Sequence, residues 1–278
     1  MDRAAVEFQP ESRIKSRFAI STSKEFRTTI PSIRIIPLRG LPEVVPGDEL
    51  VRLLVAATRR QRVRVGKGDI FVVTHKIVSK AEGQILHLDS IKPSNKAARW
   101  AGKYNKDPRL IELVLREASG IVLMKRGVIV AETRHGFVCA NAGVDVSNSP
   151  DGTAVLLPKN PDRSARKLHD GLTRAFGVRV GTVISDTFGR PWREGLVNVA
   201  LGVAGIASLL DYRGKPDANG KTLNATLIAV ADELASAAEL VMGKSERVPA
   251  TIIRGYLANG NFQSGADLIR PREKDLFR

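Results

Sequence analysis

The chain has 278 residues, of which 43% are hydrophobic and 26% charged, a composition that excludes a disordered protein and is typical of a soluble globular one. Lysine and arginine outnumber the acidic residues by 44 to 29, so the formal net charge is +15. This excess favours polyanionic partners, although a generally basic surface would explain it equally well. The single cysteine excludes an internal disulfide, and together with the four histidines it shows no zinc-type spacing.

The N-terminal residues and the longest apolar run indicate where in the cell the protein is expected. Residues 1–30 are charged throughout and lack an apolar core, so they predict a flexible extension rather than a secretory signal, followed by one domain over residues 31–278. The run "LVNVALGVAGIASLL", from Leu196 to Leu210, is too short to span a bilayer and is expected to form a buried helix. These features predict a cytoplasmic protein that does not enter the membrane.

Strand-like and helix-like runs alternate along the rest of the chain, with short turns between them. Strands are expected over "IRIIPL", "DIFVVTHKIVS", "GTAVLLP" and "VRVGTVISD", and a hairpin over "GIVLMKRGVIVAET". Helices are expected over "ELVRLLVAATRR" with Asp48 as its cap, "KDPRLIELVLREA" beginning at Asp107-Pro108, "NPDRSARKLHDGLTRAFG" ending at Gly177, and "NATLIAVADELASAAELVMG" from near Asn224 to Gly243. Interleaved helices, strands and hairpins predict an α+β fold with a mixed sheet.

The segment "AELVMGKS", Ala238 to Ser245, matches a loose phosphate-loop pattern. A true phosphate loop follows a strand and opens a helix, so that free N–H groups face the phosphates. Here a helical run comes first, and Gly243 lies where a helix would stop. The segment therefore favours a helix end, and the absence of a GxGxxG segment leaves a Rossmann nucleotide site without support.

The stretch "VGTVISDTFGRPWREG", residues 180–195, combines an acid, a hydroxyl and two guanidinium groups. Asp186 and Thr187 are expected at a strand end, where their oxygens could share a divalent cation. Arg190 and Arg193 lie on either side of a turn and could hold a phosphate or carboxylate with two hydrogen bonds each. A structural Asp–Arg pair in an ordinary turn is the alternative.

Two further carboxylates are candidate ligands. Asp145 precedes Ser147 and Asn148 in an oxygen-rich loop, which is typical of a cation site and equally of an Asx turn. Glu233 lies on a helix rich in small residues, which would let that helix approach a nucleotide or another helix closely. A solvated Asp-Glu pair is the alternative for Glu233.

The segment "THKIVSKAEG" gathers Thr74, His75, Ser79 and Lys80 at the expected end of a strand. Hydroxyls and a lysine ammonium there could bind phosphate, or the segment could be a hairpin edge whose lysines face water. Cys139, with His135 nearby in sequence, could be a thiol nucleophile, but a small buried apolar side chain is the favoured interpretation.

Taken in order, seven segments resemble the coenzyme F420:L-glutamate ligase family, the F420-0:γ-glutamyl ligases. The resemblance extends from about Ile33 to Tyr256. It is carried by "GLPEVVPGDEL", "GDIFVVTHKIVSKAEG", "KDPRLIELVLREA", "HGFVCANAGVDVSN", "PDRSARKL", "ISDTFGRPWREG" and "VADELASAAELVMGKSE".

The resemblance implies a ligase that uses GTP to add L-glutamate to F420-0, a phosphorylated deazaflavin, through an acyl phosphate. It also implies two divalent cations, Mg²⁺ or Mn²⁺, optionally K⁺, a homodimer, and a fold that is neither ATP-grasp nor phosphate-loop. By position, the implied metal ligands are Asp145, Asp186, Thr187 and Glu233. The positions that resemble GTP contacts are Leu41, Pro42, Glu43, Val44, Thr74, His75, Lys80, Asn148, Ala231, Asp232 and Ser236.

Three residues are assigned to the reaction itself: Asp186, Arg190 and Arg193. Guanidinium geometry suggests that Arg190 and Arg193 bind the glutamate or the deazaflavin phosphodiester. Some family members carry an additional C-terminal flavin-binding domain, and this chain is expected to lack it.

The sequence is also compatible with two other functions. A glutamate ligase could act on a different acceptor, such as a pterin- or furan-type cofactor, and the residues do not discriminate between acceptors. The charge of +15 motivates a nucleic-acid-binding protein, but aromatic residues are only 5% and no strip of basic and aromatic residues is visible.

Overall fold

A computed structural model describes residues 32–256 and 263–277, so the expected extension over residues 1–30 lies outside the described residues. Strands β1 to β12 span, in chain order, Arg34–Pro37, Ile70–Thr74, Ile85–His87, Ala118–Lys125, Val128–Thr133, Val138–Ala140, Thr153–Val155, Gly181–Arg190, Arg193–Ala204, Leu210–Asp211, Leu227–Ile228 and Ala250–Arg254. Helices α1 to α6 span Leu50–Arg60, His75–Ala81, Asn95–Tyr104, Pro108–Glu117, Pro161–Phe176 and Val230–Met242. The α+β class expected from the sequence is confirmed.

The largest sheet has five strands in the order β1-β12-β2-β8-β9. Within it, β2 and β8 run parallel, paired from Ile70↔Gly181 to Thr74↔Ser185, and the other neighbours are antiparallel. The parallel pairing therefore ends at Thr74 and Ser185, at one edge of the sheet, and β8 continues beyond it.

Both faces of this sheet are covered by helices. Phe71 and Val73 of β2 face the core under α1, α2 and α5, whereas Ile70 and Val72 face the core under α6. Because successive strand residues point to opposite faces and both faces are covered, β2 is apolar from Ile70 to Val73 without interruption. A separate core lies between α3, α4 and the three-stranded sheet β4-β5-β6.

The segment expected to form a buried helix over Leu196 to Leu210 is instead mostly strand β9, so that prediction was wrong. A two-residue turn, Pro191–Trp192, joins β9 to β8 in a hairpin. Ala200 contributes to the core under α6 and Ala204 to the core under α5, so both faces of the second half of the strand are buried. A strand buried on both faces has no period-two pattern, and its sequence cannot be told from that of a buried helix.

The expected strand over residues 69–79 stops at Thr74, and α2 follows directly. Ile77, Val78 and Ala81 recur at helical spacing and pack on the core under α1 and α5, which selects the helix. His75, Ser79 and Lys80 therefore lie on a helix rather than on a strand end or hairpin edge.

Other local predictions have mixed outcomes. The Asp107 cap of α4, the Gly177 end of α5 and the β4–β5 hairpin are confirmed. The Asp48 cap is wrong, because α1 begins at Leu50 after Glu49 and the Asp48 carboxylate accepts the Val45 N–H instead. The last helix begins later than expected, at Val230, because the preceding Leu227–Ile228 pairs with β10.

None of the helices in the described residues has the length and hydropathy needed to cross a membrane.

Gly202 of β9 should be intolerant of a side chain. A Cβ at this position would overlap the backbone carbonyl of Pro161 at the start of α5. We expect Gly202→Ala to lower the free energy of unfolding by about 1–3 kcal/mol, because the strand and helix must separate. Urea denaturation checks this. Gly120→Ala in β4, where an added Cβ meets nothing within 4 Å, is the control. Equal stability of the two variants would contradict the close approach.

Candidate functional site

The candidate site lies at the sheet edge where the parallel strands β2 and β8 end their pairing. Thr74 pairs with Ser185, so the next residues of the two segments, His75 and Asp186, are brought together. His75 Nδ1 lies 3.1 Å from Asp186 Oδ1, and the two side chains are only 2% and 14% exposed. The Thr187 backbone N–H donates to the same Oδ1 at 2.7 Å. Crevices at the carboxyl ends of parallel strands are the usual place for ligands in such sheets.

Asp186 and Thr187 were expected at a strand end, but β8 continues to Arg190, past the end of its partner β2. Beyond Ser185, β8 pairs only with β9, as a two-stranded hairpin. Asp186 and Thr187 therefore pair with β9 on one side and have no neighbouring strand on the other.

Thr187 is connected to the end of α6 by a polar network. The Thr187 hydroxyl donates to Asn198 Oδ1 at 2.7 Å and accepts from the Lys244 ammonium. Asn198 Nδ2 donates to Glu239 Oε2 at 3.1 Å, and Lys244 lies 3.5 Å from the other Glu239 oxygen. The network places a third carboxylate, Glu239, near Thr187.

Glu239 is the residue that the sequence interpretation missed. Glu233, the expected third carboxylate, lies on the exposed side of α6. Asp232, Ser236 and Glu239 instead line the face toward β9: Asp232 accepts the Ala200 N–H at 2.8 Å, and the Ser236 hydroxyl donates to the Asn198 carbonyl at 2.7 Å. Their i, i+4, i+7 spacing on a helix of small residues was the available signal.

The Asp145 loop supplies another carboxylate, which is partly exposed. Lys76 Nζ lies 2.8 Å from Asp145 Oδ2 and donates to the Ser147 hydroxyl at 2.6 Å. The Ser147 N–H donates to Asp145 Oδ1 at 2.6 Å, which is the expected Asx turn. Burial would raise the pKa of Asp145, but the Lys76 ammonium and the Ser147 N–H together hold it below its ordinary value of 3.8. The carboxylate is therefore ionised at neutral pH.

Lys80 connects this loop to the segment 41–44. Its side chain is 8% exposed, and its Nζ lies 2.5 Å from Glu43 Oε1 and 2.9 Å from the Asn148 carbonyl. Asn148 Nδ2 in turn donates to the Lys244 carbonyl at 3.4 Å. The Lys80, Asn148 and Glu43 positions predicted from the sequence are thus brought together.

Other residues of the expected site are placed differently. Val44 and Ala231 are buried in the two cores, while Leu41 is half-buried and Pro42 exposed. Arg190 and Arg193 lie at the exposed end of the β8–β9 hairpin. The Arg190 guanidinium donates to the carbonyls of Glu194 and Gly195, so part of its donor capacity closes the turn.

The oxygen atoms gathered here are suitable ligands for Mg²⁺ or Mn²⁺, which prefer carboxylate and hydroxyl oxygens. Lysine ammonium groups already stand beside them, Lys76 on Asp145 and Lys244 on Thr187. In the described part of the chain, no group of three or more His, Cys, Asp or Glu side chains is close enough to form a ready-made metal cluster. A cation here would therefore need further ligands, such as a hydroxyl, water or a phosphate.

Two interpretations made from the sequence, for Cys139 and for the segment Ala238 to Ser245, are confirmed. Cys139 is buried, and burial with the nearby negative charge of Asp186 raises its pKa to about 12, so the thiol is not a nucleophile at neutral pH. Helix α6 ends at Gly243, so "AELVMGKS" is a helix end and not a phosphate loop.

The buried Asp232 carboxyl should make stability fall with rising pH. Burial raises its pKa above the ordinary 3.8 although the Ala200 N–H opposes this, so the folded state keeps a proton that the unfolded state has already lost. Stability is lost as the pH rises from 3.8 through the folded-state pKa. We therefore expect Asp232→Asn to be more stable than wild type at neutral pH, with the gain disappearing below the unfolded pKa.

Urea denaturation at several pH values measures the gain. Asp170→Asn, at an exposed position of α5, is the control and should show no such trend. A constant difference between Asp232→Asn and wild type at every pH would contradict the assignment.

Comparison with known proteins shows which family the chain belongs to. The family model F420-0:Gamma-glutamyl ligase matches residues 40–255. The coenzyme F420:L-glutamate ligase of Methanothermobacter thermautotrophicus is 49% identical over 250 residues, covering 88% of this chain and 99% of the relative. That of Methanopyrus kandleri is 44% identical over 254 residues, covering 90% and 99%, and that of Archaeoglobus fulgidus 36% identical over 247 residues, covering 88% and 96%. The chain therefore belongs to the F420-0:gamma-glutamyl ligase family.

Proposed function

We propose that this protein uses GTP to add L-glutamate to F420-0 in the synthesis of coenzyme F420. The family assignment supports the ligase class and the acceptor named for the relatives. The observation that carries the proposal is that helix α2 begins beside Asp186 at His75 and contacts Asp145 through Lys76 and the Asn148 carbonyl through Lys80. Carboxylate and hydroxyl oxygens beside a buried lysine suit a reaction between a nucleoside triphosphate and a carboxylic acid.

The chemistry follows from the poor reactivity of a carboxylate. In the proposed reaction, the acceptor carboxylate takes the γ-phosphoryl group of GTP, giving an acyl phosphate and GDP. The glutamate amine then attacks the acyl carbon, an amide bond forms, the C–O bond to phosphate breaks, and the amine loses its proton. The products are glutamylated acceptor, GDP and inorganic phosphate.

The side chains have distinct proposed roles. Lys80 supplies a buried positive charge for a nucleotide phosphate, with the loop around Asn148 and the segment 41–44 as its surroundings. Asp145, Asp186 and Thr187 would hold divalent cations, Mg²⁺ or Mn²⁺, and Glu239 lies near enough to Thr187 to take the place first assigned to Glu233. Cations bound there would offset the negative charge of the triphosphate and acceptor.

Arg190 and Arg193 are proposed to bind an anionic group of glutamate or acceptor at the end of the hairpin. Trp192, 73% exposed, and Leu196, 66% exposed, lie at the same end, and the Trp192 ring is 4.7 Å from that of Phe277. Large exposed apolar side chains support the proposal that a second copy of the chain covers this region. The cytoplasmic location stays a prediction.

The reaction is tested by incubating the purified protein with GTP and Mn²⁺, with and without L-glutamate and F420-0, and following products by mass. GDP release that requires both substrates, with F420-0 gaining glutamyl units, is the expected result. GDP release without glutamylated F420 would indicate a different acceptor, such as a pterin- or furan-type cofactor. No GDP release with any divalent cation would overturn the proposal.

Asp186→Asn should reduce glutamylation by more than about 100-fold while the fold stays intact, because the amide keeps the shape of the side chain but loses the charge. Turnover at saturating GTP and Mn²⁺ measures the loss, and urea denaturation checks the fold. Asp170→Asn removes a carboxylate of the same kind from an exposed helix position and should keep wild-type turnover. Wild-type turnover of Asp186→Asn would remove this residue from the site.

A further inference from the structure

His75 is buried against Asp186 and is turned away from any open surface, although the family resemblance placed it among nucleotide contacts. Its side chain is 2% exposed and its Nδ1 lies 3.1 Å from Asp186 Oδ1. An unprotonated ring nitrogen and a carboxylate oxygen would turn lone pairs toward each other at this distance, so the contact favours a proton on Nδ1. The imidazole therefore acts on the carboxylate rather than on a nucleotide.

The two oxygens of Asp186 are treated unequally. Oδ1 lies 3.1 Å from His75 Nδ1 and accepts the Thr187 backbone N–H at 2.7 Å. No side chain or backbone donor among the described residues makes a hydrogen bond to Oδ2. Two contacts on one oxygen restrict the orientation of the carboxylate and leave the other oxygen for a further partner.

We propose that His75 is a positioning residue, which holds Asp186 by Oδ1 so that Oδ2 is presented to a divalent cation. The inference rests on the proposed function, because it takes Asp186 to be a cation ligand. Hydrogen bonds that orient a ligating carboxylate commonly change metal affinity by about 10–100-fold when they are lost.

The other ring nitrogen supports this assignment. His75 Nε2 is buried and has no hydrogen-bond partner among the described residues. The imidazole is therefore held by packing and by the single polar contact of Nδ1 with Asp186. A side chain that places an N–H at the Nδ1 position should replace it, and one that places an N–H at the Nε2 position should not.

Two amide substitutions separate these positions. The Asn amide nitrogen occupies about the place of Nδ1, whereas the Gln amide nitrogen reaches about the place of Nε2. Both side chains are neutral and polar, so His75→Asn and His75→Gln form a matched pair. Each is compared with wild type for Mn²⁺ affinity by electron paramagnetic resonance, using the full chain with GTP present.

We expect His75→Asn to bind Mn²⁺ within about threefold of wild type and His75→Gln to bind it about 10–100-fold more weakly. In glutamylation assays, the KM for Mn²⁺ should rise in His75→Gln while kcat at saturating Mn²⁺ changes far less. Urea denaturation shows whether each variant is folded. Unchanged Mn²⁺ affinity in folded His75→Gln, or equal losses in both folded variants, would overturn the proposal.

A measurement on wild-type protein covers the case in which the variants do not fold. Nitrogen-15 NMR of the histidine rings with Mg²⁺ bound should show His75 protonated at Nδ1, with its signal assigned by removing the other three histidines in turn. A proton on Nε2 alone would overturn the proposal. If wild type neither binds Mn²⁺ nor releases GDP, the proposed function itself fails, and the ring tautomer still reports separately on the His75–Asp186 contact.

Discussion

The parallel pairing of β2 with β8 is the constraint on which the site depends. Its register places Thr74 opposite Ser185, and the parallel pairing of the two segments ends there, at one edge of the sheet. A shift of one residue would turn the side chain after each strand to the opposite face of the sheet. The pairing is enforced from both sides, because the strands are buried under helices on each face. Apolar packing thus positions His75 beside Asp186, without help from the polar residues themselves.

The site is formed by elements that arrive from distant parts of the chain. Lys76 and Lys80 come from α2, Asp145 and Asn148 from the loop before β7, and Glu239 from α6. Each brings a charged group to a partly or fully buried place, and every charge described there has a partner of opposite sign or a hydrogen bond. Unpaired buried charges would be strongly destabilising.

How much of this could be read from the sequence varies with the kind of signal. Asp107-Pro108 and Gly177 were read correctly because helix ends are set by local backbone chemistry. Strand β9 was misread because burial on both faces removes the alternation that identifies a strand. The family resemblance predicted Asp145, Asp186 and Lys80 as site residues, and those roles stay predictions. Glu239 was not predicted because its position near Thr187 depends on how α6 lies along β9, a long-range relation that spacing in one helix suggests but does not determine.

The two partners of the Lys80–Glu43 ion pair differ in solvent exposure, and this difference matters for anion binding. The lysine is 8% exposed and its partner carboxylate 76% exposed, so the cation is fixed in the interior while its counter-ion stands in water. An arriving phosphate would exchange with Glu43 rather than neutralise a bare charge. During such an exchange the buried ammonium always has an anionic partner. The free energy of binding is then the difference between the free energies of the Lys80–phosphate and Lys80–Glu43 ion pairs. Glu43 would then act as an internal competitor that sets how tightly an anion is held.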